Sequence, residues 1–422
     1  MKNAEGYKVI PKEIDVKDVI LESECVLLSP IKKTKGILKL TSKTLFFVSE
    51  NKVKKWLLED IKYIFPRKWE LQSTAFEIWF DNKSYFINFE KGKQSLNEMF
   101  LQIYTLLEGK ICRSLDPQEI LNWSGATENW QKGKLSNFEY LMFLNLISGR
   151  SYNDLNVYPV FPWVIADYQS TKLDLNNPKT YRDLSLPLGA LHPSSLERHL
   201  QKYNDLSDYG TPYMYGKMYS NEEAVKYYLL RMDPFSTLHL TANTPQWGRP
   251  ERHFLSIPRQ WEDCYKQTTD EARELVPEFF YLPDYLRDSN ELRLGYNFAH
   301  VELPPWAQSP EQFVYYNRLA LESNIVSENL PNWIDLIFGY KQKGEEALKA
   351  NNVWNYLFYE NAINIAELDP VQAEHVVKLI VESGQIPSQI FTMPHPHKDP
   401  TPLPNHPIHI HNSFFKTTQQ PS

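Results

Sequence analysis

Ser151, Tyr152 and Asp154 lie within four residues of one another in the run Gly-Arg-Ser-Tyr-Asn-Asp at 149–154. A hydroxyl, a phenol and a carboxylate so close together are ingredients of a nucleophile with its orienting acid. The chemistry stops there, because no histidine or lysine base and no metal-ligand spacing accompanies them, and a structural loop is the better reading. His239, His253 and His300 each have apolar neighbours in the sequence, which points to hydrogen-bonded core histidines rather than ligands. His395, His397, His406, His409 and His411 stand in a Pro-rich stretch, where a metal ion would bind only weakly and incidentally for want of groups to orient the rings. The chain contains no G-x-S-x-G elbow, P-loop, H-E-x-x-H, G-x-G-x-x-G or kinase motif set. The expectation is therefore no catalytic residue, no metal and no cofactor.

The elements that would have to hold such residues are unusual. From Gly149 to Tyr168 the chain is apolar enough to demand burial, yet Pro159 and Pro162 lack amide donors and exclude both a helix and a central strand. This predicts an extended segment threaded through a core. Buried backbone without a ladder must still satisfy its polar groups, and Asn153, Asp154, Asn156 and Asp167 are the expected side-chain partners.

Before it, residues 24–89 read as a succession of short strands. Alternation is clearest in Phe76, Ile78, Phe80 and in Tyr85, Ile87, Phe89, with a tight turn at Asp81-Asn82-Lys83. From Gln94 to Leu107 the period becomes helical, placing Leu96, Met99, Phe100, Ile103 and Leu107 on one face. After a connector the chain is mainly helical, with expected helices at 137–148, 195–203, 221–232, 258–266, 310–323, 328–338, 345–350 and 370–383. Their starts are marked by Ser136 with Glu139, Ser220 with Glu223, Ser309 with Gln312, and Asp369 with Gln372, and Gly384 closes the last.

Composition fits a globular protein: 42% hydrophobic and 14% aromatic residues exclude disorder of the whole chain. Three scattered cysteines form neither a disulfide framework nor a C-x-x-C pair, as expected of a reducing, cytoplasmic compartment. No window approaches 18 uncharged apolar residues, so membrane association would be peripheral. The net charge of −7 divides into +4 over residues 1–110 and −11 over the remainder, which argues against nucleic-acid binding.

The run GRSYNDLNVYPVFPWVIADY, preceded by SNFEYLMFLNLISGR and followed by LDLNNPKTYRDLSLPLGAL, closely resembles the signature of the BEACH (beige and Chediak-Higashi) domain family. YYLLRMDPFSTLHL, LVPEFFYLPDYLRDSN, the long block from VELPPWAQSP to GYKQKGEEA and SGQIPSQIF agree in consistent order from about Asn122 to Phe391. The preceding strands and helix are similar to the divergent pleckstrin-homology (PH) domain that commonly precedes BEACH domains. The resemblance implies an α+β multidomain chain: an N-terminal lead (1–20), a PH-like antiparallel sandwich with a C-terminal helix (21–109), a linker (110–122), a mainly helical BEACH domain with an irregular extended core (123–392), and a Pro/His-rich tail expected to be disordered (393–422). Members usually continue into a WD40 propeller, and no such repeat stands here, as expected of either an excised piece or a short member.

By the same resemblance the function is that of a non-enzymatic scaffold in vesicle and lysosome-related membrane traffic, peripheral to intracellular membranes. Its partners would be proteins of that traffic, small GTPases as a class, bound at a composite PH-BEACH groove to which Arg67, Lys68, Trp69 and Asp154 are assigned. Lys32, Lys33 and Lys35, in the expected first hairpin loop, are the candidates for weak contact with acidic lipid, at about 1 kcal/mol each. A phosphoinositide-targeting module is the alternative function, and an unrecognised cytosolic enzyme ranks last. Lys217-Met218 and the loop in TANTPQWGRPERHF depart from the usual pattern of the family.

Overall fold

A computed structural model describes residues 18–50, 52–81, 83–242, 253–266, 272–289, 300–360, 362–363 and 365–399. The chain divides into two compact units, with the boundary between Asp116 and Pro117.

The first unit is a seven-stranded antiparallel sheet with one helix. The strands are β1 (Leu21–Leu28), β2 (Lys33–Leu40), β3 (Thr44–Val48), β4 (Val53–Leu57), β5 (Tyr63–Trp69), β6 (Gln72–Trp79) and β7 (Ser84–Phe89), in the spatial order β4-β3-β2-β1-β7-β6-β5. The sheet bends until β4 meets β7, where the rings of Trp56 and Tyr85 lie 4.5 Å apart. Helix α1 (Lys93–Leu106) lays Leu96, Met99, Phe100 and Ile103 on the core formed by Leu38, Leu45, Phe76, Ile78 and Ile87, and Leu107 follows into the same cluster. The helical face read from the sequence is thus the buried one. Gly36 is required here: a Cβ would come within 2.5 Å of the Val48 carbonyl and 2.7 Å of the Phe47 ring.

Two features of the sheet depart from the sequence reading. In β6 the simple alternation fails, because Ala75, Glu77 and Trp79 are buried as completely as Phe76 and Ile78. The β5–β6 connection is a two-residue turn at Glu70-Leu71, both with positive φ (48° and 68°), a conformation normally signalled by Asn or Gly.

The second unit is built from α2 (Pro117–Ser124), α3 (Ala126–Gln131), α4 (Asn137–Ile147), α5 (Pro193–Ser207), α6 (Glu222–Tyr228), α7 (Phe235–Ala242), α8 (Ile257–Lys266), α9 (Pro310–Leu321), α10 (Asn324–Ile337), α11 (Glu345–Lys349) and α12 (Pro370–Ser383). Ser136 and Glu139 form the reciprocal capping box of α4, Ser309 caps α9, and Asp369 caps α12 with Gly384 at φ 91° closing it. Three expectations are corrected. The start of α6 is capped by Asn221, whose Oδ1 accepts from the Ala224 amide at 2.8 Å, while Glu223 pairs with Lys217 and Arg273 instead. Helix α10 begins at Asn324 rather than 328: Ser323 caps it and burial of Val326 and Leu330 carries it through the interior Pro331. Helices α2, α3 and α7 were not foreseen, since their short sequences offer less than three turns of periodicity.

The tail expectation is also corrected at its start. Beyond α12 the chain runs extended across α10 and α4, with Ile390 and Phe391 amides bonded to the Phe338 carbonyl. His395 is 3% exposed, its ring nitrogen 2.7 Å from the Tyr140 hydroxyl and its amide bonded to Asp335. Burial lowers the His395 pKa to about 4, so it is a neutral core residue. His397 is exposed, its carbonyl accepting from the Gln131 side chain at 2.9 Å, while residues 400–422, with His406, His409 and His411, lie outside the described residues, as do 243–252 of the divergent loop.

Candidate functional site

The segment from Ser151 to Tyr168 does run through the core without regular structure. Tyr158, Val160, Phe161, Trp163, Val164 and Ile165 are all fully buried, and only a single 3-10 turn (Leu155–Val157) and isolated bridges to Leu275 and Tyr181 interrupt it. Every donor and acceptor in such a stretch must find a partner inside the protein. The sequence directs the search to Asn153, Asp154, Asn156 and Asp167, and of these Asp154 and Asp167 serve local turns. Asp154 accepts from the Asn156 amide, and Asp167 accepts from the amides of Gln169 and Ser170.

The partners come from neighbouring elements. Asn145, on α4, grips Val160 from both sides: its Oδ1 accepts from the Val160 amide at 2.8 Å and its Nδ2 donates to the Val160 carbonyl at 2.9 Å. Arg150 donates to the Tyr158 carbonyl at 2.6 Å, and Phe161 exchanges two 2.9 Å backbone bonds with Leu275. Glu274 accepts from the Trp163 amide at 3.1 Å, from the Trp333 indole at 3.2 Å and from Arg182 at 2.8 Å, with both sides of that ion pair buried. The Trp163 indole donates to the Arg273 carbonyl at 2.8 Å, and the Trp306 indole to the Asp167 carbonyl at 2.9 Å. Asn145, Arg150 and Glu274 were missed in the sequence because each stands on a stretch whose pattern explains it otherwise. A buried asparagine in the apolar α4, which is apolar almost all round, was the available signal.

Four residues after Glu274, Glu278 has a different surrounding. Its Oε1 accepts from the Tyr158 hydroxyl at 2.7 Å and the Tyr281 hydroxyl at 3.1 Å, and burial pushes its carboxyl up to about 7 despite those two bonds. Ser151 and Tyr152, the hydroxyls that opened the search for a nucleophile, are both buried, with Ser151 Oγ accepting from the Asn153 amide and the Tyr152 hydroxyl turned to the Met142 sulfur. This arrangement holds backbone in place and presents nothing to a substrate. Of the three histidines, His253 is buried with its ring 5.4 Å from His239, whereas His300 is exposed and accepts from the Asp288 amide, against the expectation of a core position.

The assigned binding residues fall into different environments. Arg67 is fully buried and pairs with Glu77 at 2.6 Å, so it is no surface hot spot; Lys68 and Trp69 are half-buried, and Asp154 belongs to the second unit. Lys33 is brought onto Trp69, its ammonium 4.5 Å from the ring centroid, and lies 3.9 Å from Glu70. Lys35 pairs with Glu90 at 3.0 Å. Lys32 closes a tight turn with Ser29, leaving Ile31 63% exposed at its tip. Two of the three lysines thus already have carboxylate partners.

The Beige/BEACH domain family profile matches residues 128–398, and the profile for the PH domain associated with Beige/BEACH matches residues 25–103. The chain belongs to the BEACH family. Among its BEACH relatives are the BEACH domain-containing protein lvsE of Dictyostelium discoideum, 40% identical over 351 residues, and lvsD of the same organism, 39% identical over 373. These alignments cover 81% and 80% of this chain but only 16% and 12% of the relatives, so the chain spans a small part of their length. The crystal structure of the C-terminal domain of an unknown protein from Leishmania infantum matches 20% of this chain and 83% of its own at 20% identity; its TM-score of 0.19 carries no argument. BEACH-domain proteins are in general not enzymes, and the PH-BEACH pairing is that of a protein-interaction module.

Proposed function

We propose that this BEACH-family chain is a non-catalytic scaffold of vesicle and lysosome-related membrane traffic, binding protein partners, small GTPases among them, at the cytoplasmic surface of intracellular membranes. The observation that carries the reading is how the second unit uses its buried polar groups. Asn145, Arg150 and Glu274 are committed to fixing an irregular backbone, and Ser151 and Tyr152 are buried beside them. An enzyme of this size would hold a nucleophile, a base and its orienter around a reachable cavity. A rigid irregular core instead supports a surface of fixed shape, which suits partner recognition.

The test is crosslinking capture from cytosol with the intact chain as bait and each unit as a parallel bait. Recovery of membrane-traffic proteins by the intact chain supports the scaffold. Recovery of acidic-lipid vesicles alone, by residues 1–116 alone, transfers the role to the phosphoinositide-targeting alternative. The exposed Ile31 beside Lys32 is the feature that favours that second reading.

A further inference from the structure

Glu278 sits in a cluster that scaffolding does not use. The residue is 2% exposed, one carboxylate oxygen accepts from Tyr158 and Tyr281, and the other, Oε2, has no partner among the described residues. The titratable groups facing it are phenols from every adjoining stretch: Tyr152 and Tyr158 from the extended segment, Tyr281 beside it and Tyr285 from the next turn. Burial pushes all four well above the ordinary tyrosine range, so they remain neutral. The cations of the surrounding core are engaged elsewhere, Arg150 on the Tyr158 carbonyl and Arg182 on Glu274. A carboxylate buried without a counter-ion takes up a proton rather than remain charged.

We propose that Glu278 is a proton-binding site that latches the extended segment: the neutral acid is compatible with the tyrosine cluster, and release of its proton to solvent leaves an unpaired charge that loosens Tyr152–Tyr158 from residues 277–281. The raised pKa of about 7 places this exchange near neutrality. The sign follows from linkage. The unfolded carboxyl loses its proton near 4.5 and the folded one near 7, so stability falls as pH rises through that window and levels off above it.

Infrared spectroscopy of the intact chain, with glutamate alone carbon-13 labelled, reads the proton directly. Glutamate-only labelling keeps Asp335, itself raised to about 6, out of the signal. The expected result is one protonated-carboxyl band that disappears with a midpoint near pH 7 and is missing from Glu278→Gln. In parallel, the melting temperature of the helical unit falls by a few degrees between pH 5.5 and 8 in the wild type, falls less in Glu278→Gln, and at pH 8 is higher in the variant. Absence of the band at pH 5.5, or parallel melting profiles for the two proteins, overturns the proposal. Should Glu278→Gln fail to fold, Tyr158→Phe removes a bond that favours the charged form and moves the midpoint upward; an unmoved midpoint equally overturns it.

Discussion

Glu274 and Glu278 are both buried and stand four residues apart in sequence, yet they are accommodated by opposite means. Glu274 is ion-paired with Arg182 and accepts from two further donors, the Trp163 amide and the Trp333 indole. Glu278 accepts from two phenols and its own backbone amide rather than from a cation, and burial raises its carboxyl to about 7. A carboxyl removed from water must be paired and hydrogen-bonded or else neutralised, and these two neighbours illustrate the alternatives. The difference separates a permanent clamp on Trp163 from a clamp on Tyr158 that depends on a proton.

Breaking the permanent clamp has the largest expected effect. Arg182→Met strands the Glu274 charge and is expected to cost about 3–5 kcal/mol. Chemical denaturation followed by far-ultraviolet circular dichroism checks this, and Arg182→Met with Glu274→Gln together should recover much of the loss. Glu278→Gln, by contrast, is expected to raise stability at pH 8, so equal losses from the two sites would erase the distinction between them.

The clip on Val160 comes next. Asn145→Leu leaves a buried amide and carbonyl without partners, and a loss of roughly 2–4 kcal/mol is expected from two such groups. Unfolding curves of the variant, with local hydrogen exchange at Val160, measure it; unchanged exchange would show that the segment is held by packing alone. Ser136→Ala removes one half of the α4 capping box and should cost only about 1 kcal/mol, read in the same denaturation experiment.

The smallest effect is expected at the lysines of the first hairpin. Lys33 and Lys35 already have carboxylate partners, so changing Lys32, Lys33 and Lys35 to Glu should leave sedimentation with acidic vesicles nearly unchanged. A large drop in sedimentation would instead establish this loop as a lipid contact and strengthen the targeting alternative.

Much of the fold was legible because it rests on local rules. The apolar face of α1, the caps at Ser136, Ser309 and Asp369 and the closing Gly384 are short-range patterns whose physics is complete within a few residues. The site was harder to read. Arg67, in a polar and aromatic strand, has the residue type of a binding hot spot, but its pairing with Glu77 across the β5–β6 ladder makes it a core residue. The tail histidines share a composition typical of unpacked chain, but His395 is placed in the core by Tyr140, 255 residues earlier.

By itself the sequence determined that residues 149–168 form an extended, buried segment, since two prolines forbid regular structure and the apolar content forbids exposure. It could not determine who satisfies that segment's backbone. The partners Asn145, Arg150, Glu274 and Trp306 are brought to it by tertiary folding, and their polar groups gain meaning only from what stands opposite them. Tertiary structure likewise decided the state of the two glutamates. Their side chains are the same, and only the neighbour supplied by the fold, a guanidinium for one and phenols for the other, sets whether the buried carboxyl has a counter-ion.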